Sequence, residues 1–459
     1  MRLVPLLLLA ACTAADESET DAPPTDYAFT SRDGSGDSSV SYSGQVFRQL
    51  LIDDLAAHID GLTARIDTGW TPAPGDVTAE LELYLAFDDS TAGSLPHGFA
   101  GHLPALQTTY SDVSSGKDLY GKLAGNDATG QHKDWSQDFA GWTTERQFTP
   151  QSLVDAWVAD LDDLAVSRAA GDLVTLPDGS VADSVYLTPD GRDLKQLLEK
   201  FLRGGIAYSQ GADDYLDDDV DGKGLLSDHS ALEDGKPYTA LEQAWDEGFG
   251  YFGATPTYGA WDDAETAANG AVDLDGDGQL DLLSEVAWGH AINAAKRDLG
   301  SNTGTDLTGA AFDAFLAGRH LIAQADGPLT DEQLTELRGH RDQALTAWEH
   351  TLVANVVHYV NETLVDVHHL GTDDYSAADH AKHWSELKGF ALALQFNPHS
   401  PLSDADFAAL HDLLGIAPNT VAASKSEAAD DLIAARDLLA TVYDLDPENL
   451  GDDDGLNGW

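Results

Sequence analysis

His380, His383 and Glu386 stand in the run HAKHWSELKGFALAL, residues 380–394, whose apolar spacing is that of a buried helix face. A helix turns about 100° per residue, so Leu387, Phe390 and Leu394 fall within about 40° of the direction of His383. His380 and Glu386 lie about 60° to either side, while Lys382, Ser385 and Lys388 face elsewhere. Imidazoles and carboxylates on such a face are costly unless something pairs with them. A His-x-x-Glu step brings both groups to neighbouring positions, as in the carboxylate-bridged metal centres of helical bundles. Other apolar helices carry groups that could complete a shell: Glu242, Asp246 and the adjacent Glu247 in LEQAWDEGF, and Glu349, His358 and Glu362 in AWEHTLVANVVHYVNETL. The residues leave two readings open, a divalent-metal site and a buried hydrogen-bond network.

The sharpest local pattern is DLDGDGQLDLLSE. Asp273, Asp275 and Asp277 fit positions 1, 3 and 5 of a calcium loop, Gly278 its tight turn, Leu280 its apolar position 8 and Asp281 position 9. The bidentate acid expected at position 12 is displaced, with Ser284 there and Glu285 one place later. Ca²⁺ on Asp273, Asp275, Asp277, Gln279, Asp281 and Glu285 would brace a long loop; the alternative is a solvated acidic turn. Weaker echoes occur at Asp217, Asp219, Asp221 and Gly222, and in the DDDG of 452–455. Gly248, Gly250 and Gly253 match a dinucleotide fingerprint in spacing only, because a helical pattern precedes them and a loop follows. No H-E-x-x-H, Walker or G-x-S-x-G motif is present.

The elements that must position these groups are helices. Apolar residues recur three and four apart in GQVFRQLLIDDLAAHIDGL, LVDAWVADLDDLAVSRA, the long DEQLTELRGHRDQALTAWEHTLVANVVHYVNETLVDVHHL and several further segments. Strand-like alternation is confined to ELELYLAF, GDLVTL and SVYLT. An all-α fold of helical bundles follows. We expect an N-terminal helical half at 42–252, an acidic loop at 253–283, a C-terminal half at 284–445 and an acidic tail at 446–459.

The N-terminus, MRLVPLLLLAAC, has the form of a lipoprotein signal: one Arg, a leucine run too short to span a bilayer, and small residues before Cys12. Cys12 is the expected lipidation site, and residues 13–41, rich in Asp, Ser, Thr and Pro, the expected disordered tether to the membrane. The cell envelope, with the outer membrane or cell surface favoured, is the expected location. Cys12 is also the only cysteine, so metal ligands elsewhere must be oxygen or imidazole nitrogen. With 80 acidic against 24 basic residues and a net charge of −56, the chain repels nucleic acid and attracts cations.

Taken together, DYAFTSR, SVSYSGQVFRQLL, EQAWDEGFGYFG, SEVAWGHAINAAKRD, AFLAGRH, AWEHTLVANVVHYVNETL and HWSELKGFALALQFNP resemble an uncharacterised domain family of bacterial surface lipoproteins, itself similar to the imelysin-like proteins. The resemblance spans about Tyr27 to Tyr443. It implies a two-part helical bundle with a site around a G-x-H-x-x-E motif, and a link to iron uptake. His383 and Glu386 match that motif, with Ala381 where the imelysin glycine would stand and the motif late in the chain. The leading expectation is a tethered, non-catalytic protein binding iron, an iron complex or another divalent transition metal through His383, Glu386 and His380, with Glu242, Asp246, Glu247, Glu349 and His358 as further ligands. The alternatives are a metallohydrolase with Glu386 as general base, and a structural or protein-binding lipoprotein.

Overall fold

The computed structural model describes residues 23–127, 130–143 and 146–459. The signal at 1–12, the lipidation site Cys12 and residues 13–22 of the tether lie outside the described residues. Among the described residues fourteen α-helices follow in chain order. Before the 253–283 stretch come α1 (Ser43–Asp67), α2 (Asp76–Leu85), α3 (Asp89–Ala92), α4 (Tyr110–Val113), α5 (Pro150–Ala169), α6 (Leu194–Leu202) and α7 (Ala240–Phe252). From there on follow α8 (Asp263–Asn269), α9 (Gly289–Gly300), α10 (Leu307–Gln324), α11 (Asp331–His369), α12 (Ala377–Ala393), α13 (Asp404–Leu414) and α14 (Lys425–Tyr443). Among the described residues no strand or sheet forms, and extended segments meet only in isolated bridges such as Thr175 with Val181 and Leu187 with Asp193. The fold is all-α, as the periodicity requires. ELELYLAF, strand-like by alternation, is helical: Val77, Leu81 and Leu85, four apart, form one fully buried stripe on α2.

Local chemistry starts these helices where the sequence says. Thr239 and Thr330 cap α7 and α11 in reciprocal capping boxes with Glu242 and Gln333, and Ser376 caps α12 by accepting from the Asp379 amide. The 39-residue α11 is the spine, flanked by α9, α10, α12 and α14, while α6 packs on α12 and α1. Beyond Leu202 the chain of α6 continues in π-helical turns, Arg203–Tyr208 and Gly211–Tyr215. Gly211 lets this segment lie against Trp348 of α11, because a Cβ there would sit 2.6 Å from the indole. One cluster of buried apolar side chains runs from Tyr27 to Trp459, drawing on helices before and after 253–283. The expected acidic loop at 253–283 itself contains α8.

Part of the expected disordered tether and the expected acidic tail are both packed against the helices. In the expected tether, Tyr27 stacks on Phe249 with ring centroids 3.9 Å apart and is 1% exposed; Phe29 is buried beside it. At the other end, Trp459 is buried and its Nε1 donates to the Arg297 carbonyl at 3.1 Å. Large aromatic side chains dock these segments despite their acidic surroundings. α12 is likewise buried nearly all round: Ser385 and Lys388, expected to face away from the core, are 0% exposed, because α6 and α13 cover the side opposite α11.

α10 approaches α7 closely at Gly318, where an added Cβ would lie 2.1 Å from the Trp245 ring. Gly318→Ala is expected to cost about 1–3 kcal/mol through overpacking. An unchanged urea midpoint would mean that the two helices can separate without loss.

Candidate functional site

The His-x-x-Glu motif of α12 faces α11. His383 Nδ1 lies 2.8 Å from Asp366 Oδ2, and its Nε2 lies 3.9 Å from Glu362 Oε2. The two acids are one turn apart on α11, so one edge of the ring is held by Asp366 while the other looks toward Glu362. Burial alone would lower the pKa of His383, but the hydrogen bond and charge of Asp366, with the charge of Glu362, raise it overall. Glu386, 5% exposed, accepts from the Tyr359 hydroxyl at 2.9 Å through Oε1. Lys200 Nζ of α6 stands 3.7 Å from the same oxygen, and Oε2 is buried without a hydrogen-bond partner. His358, one turn before Glu362, is held neutral: burial and then the Arg297 charge push its pKa down to about 3.

A charged rim surrounds this pair of helices. Lys200 pairs with Glu199 at 2.9 Å, and Arg203 reaches both Glu199 at 3.5 Å and Asp53 of α1. Burial would raise the pKa of Glu199, yet Lys200 and Arg203 hold it at about 2. His380 turns away from the site. Its Nδ1 meets the Tyr375 hydroxyl at 3.1 Å, and it lines a separate cavity of about 210 Å³ with Trp384 and Leu414. Burial lowers its pKa to about 4, so it is an uncharged side chain at neutral pH.

The other acids expected in one shell belong to separate networks. Arg319 of α10, fully buried, binds Asp246 through Nε at 2.9 Å and Glu242 through NH1 at 3.2 Å. Its NH2 donates to Ser39 Oγ at 2.7 Å, and Asp246 also accepts from the Tyr27 hydroxyl at 2.8 Å. Burial raises the pKa of Asp246 to about 6 against the pull of Arg319. Glu247 instead accepts from Gln243 at 3.1 Å. Glu349 accepts from Tyr208 at 3.0 Å, Ser400 at 2.5 Å, Tyr443 at 2.6 Å and Asn397, a cage of neutral donors. These four acids therefore do not join His383 and Glu386. Periodicity marks which face of a helix is buried, but not which helices look at each other. The residues missed from sequence are Asp366, Tyr359, Lys200 and Arg319; only Arg319, a cation in the apolar run AFLAGRH, gave a local signal.

A family model, Domain of unknown function (DUF4856), matches residues 128–407. The chain belongs to this DUF4856 family. No curated protein and no solved structure matches it. The DUF4856 span contains His358, Glu362, Asp366, His383, Glu386 and the acidic loop, whereas Asp53 and Trp459 lie beyond its ends.

Within the DUF4856 span the acidic loop closes on itself. Ligand atoms of Asp273, Asp275 and Glu285 lie within 4.8 Å of one another. Asp273 accepts from the amides of Gly276 at 2.7 Å and Gly278 at 3.1 Å; Glu285 accepts from those of Leu274 and Asp281. The acid displaced by one residue thus folds back over the loop. Asp277 accepts from the Gln279 amide, and Asp281 is held by Gln107 Nε2 at 2.8 Å. The weaker echo at Asp217 gathers Asp217, Asp218 and His399, a histidine remote in sequence, and Asp218 is already bound by Arg338 and Arg341.

Proposed function

We propose that this chain binds a divalent metal ion between α11 and α12, through His383 Nε2 and Glu362. The observation that carries the reading is the ring of His383 itself. Asp366 holds Nδ1 and leaves Nε2 toward a second carboxylate, the way an outer carboxylate orients a metal-binding imidazole. Nitrogen and oxygen ligands suit iron, zinc or manganese. The preference for iron, and for an uptake or accessory role, rests only on the resemblance of segments such as HWSELKGFALALQFNP to imelysin-like proteins. A lipid on Cys12 would place the site at the cell envelope. The competing reading is a structural polar network, favoured by the way Tyr359 and Lys200 already engage one oxygen of Glu386. Titration calorimetry with Zn²⁺, Mn²⁺ and Fe²⁺ on the full-length chain separates the two. Metal binding lost in His383→Ala supports the first reading; equal heats in both proteins leave only the second.

In the same proposal Ca²⁺ braces the 273–285 loop and plays no part at His383. Added Ca²⁺ is expected to raise the thermal midpoint of the wild-type chain but not of Asp275→Ala. The binding term is about 2.7 kcal/mol at one hundred times the dissociation constant. An equal rise in both proteins would remove calcium from the loop.

A further inference from the structure

The N-terminal half of α11 borders two cavities that the metal reading does not use. The larger, of about 1280 Å³, lies between α10 and α11 and is walled mainly by apolar side chains, among them Leu307, Ala310, Phe312 and Leu316 of α10 and Ala347 of α11. The smaller, of about 300 Å³, is more polar and is lined by Glu349, His350, Asn397, His399 and Tyr443. Asp342, Thr346 and His350 line both. Each is four residues from the next, so they form one stripe, and the two cavities meet along about 12 Å of helix.

The polar cavity presents negative charge and acceptors. Glu349 is 2% exposed, and its four hydrogen bonds all come from neutral donors: Tyr208 at 3.0 Å, Tyr443 at 2.6 Å, Ser400 at 2.5 Å, and Asn397. Among the described residues no Lys, Arg or His lies within ion-pair reach of it. A buried carboxylate without a countercharge is costly. His350 Nδ1 donates to the Thr346 carbonyl at 2.7 Å and His399 Nε2 to Asp217 at 3.2 Å, so each neutral ring keeps a lone pair on its other nitrogen. Asp342 is exposed and pairs on one side with Arg341 at 2.5 Å. No Lys or Arg stands among the described residues lining either cavity. Apolar walls with a few convergent polar groups are the usual make-up of a small-molecule site. Acceptors beside an unpaired carboxylate suit a head group with a positive charge and several N–H donors, which is an ammonium.

We propose that the joined cavities bind one amphiphilic amine, with its ammonium in the polar cavity near Glu349 and its hydrocarbon body in the apolar trough between α10 and α11. Glu349 keeps its four donors and acts through its charge, while His350 and Asp342, at the junction, meet the N–H groups directly. The site is separate from His383: Glu362 lies about 18 Å further along α11 than His350.

Calorimetry on the full-length chain at physiological ionic strength, with octylamine, 1-octanol and octanoate as probes, tests this. The salt screens the general attraction of a chain of net charge −56 for cations. The wild type is expected to bind one equivalent of octylamine about tenfold or more tightly than octanol, the worth of a charge-assisted hydrogen bond, and octanoate least. Glu349→Gln should abolish that preference and leave octanol unchanged. Ala310→Trp, which fills the trough from an exposed position, should weaken amine and alcohol together. Wild-type protein that binds no octylamine, or binds octanol or octanoate as tightly, overturns the proposal. So does a preference that survives Glu349→Gln, or unchanged affinity for both probes in Ala310→Trp. Should Glu349→Gln not fold, Asp342→Asn at an exposed position takes its place; the amine preference should fall severalfold there, and an undiminished one overturns the proposal.

Discussion

Replacing Arg319 with methionine is expected to lower the unfolding free energy by about 3–5 kcal/mol, the cost of stranding buried charges rather than the worth of the ion pairs. Arg319 and Asp246 have fully buried side chains and Glu242 is 3% exposed, so water cannot take over the lost partner. The guanidinium also holds Ser39 and lies over the Phe29 ring, 4.7 Å from its centroid, so the 27–41 segment loosens with it. The pH dependence has a definite sign. The folded-state pKa of Asp246 is already raised, to about 6, and losing Arg319 raises it further. A carboxyl whose native pKa exceeds its unfolded value binds protons preferentially in the native state. The variant should therefore regain stability as pH falls from 7 toward 5. Adding Asp246→Asn and Glu242→Gln should recover much of the loss at neutral pH. Urea unfolding measures all three effects, and a cost below about 1 kcal/mol would mean that the carboxylates find other partners.

The second large effect concerns the metal. Asp366→Asn is expected to weaken metal affinity about 10–100-fold, because it removes the carboxylate that fixes the His383 ring and raises its basicity. A proton competes with the metal for Nε2, and the pKa of His383 is raised. Affinity should accordingly increase as pH climbs through that pKa, and Asp366→Asn should shift this rise to lower pH. In the metal-free protein the same shift works the other way. The protonated His383–Asp366 pair stabilises the fold below the unfolded histidine value of about 6.5, and that contribution is lost as pH rises through the folded value. Metal titrations at several pH values check the order; an affinity indifferent to both pH and Asp366 would place the metal elsewhere.

The helices were legible because apolar spacing and end-capping are local. Thr330 with Gln333 and the stripe through Leu387 and Phe390 can be read without knowing any neighbour. ELELYLAF was ambiguous because leucines two apart and four apart coexist, and only burial of Val77, Leu81 and Leu85 decides between them. Partnership between helices was not legible. His383 and Glu386 can be read as polar groups on an apolar helix, but Glu242 and Asp246, with the same local signature, belong to Arg319. Asp366 gave no sign of its role, since an acid on the polar-looking VDVHH stretch reads as solvated until α12 is packed against it. Packed ends escaped for a similar reason: Tyr27 and Trp459 are single aromatic residues in acidic segments, and their burial depends on Phe249 and on α9.

Crystals of the full-length chain grown with Zn²⁺, with anomalous diffraction recorded at the zinc edge, test the central claim most directly. The account predicts a peak about 2.0–2.2 Å from His383 Nε2 and from a carboxylate oxygen of Glu362, absent in His383→Ala. A peak confined to the 273–285 loop, or no peak between α11 and α12, would contradict it.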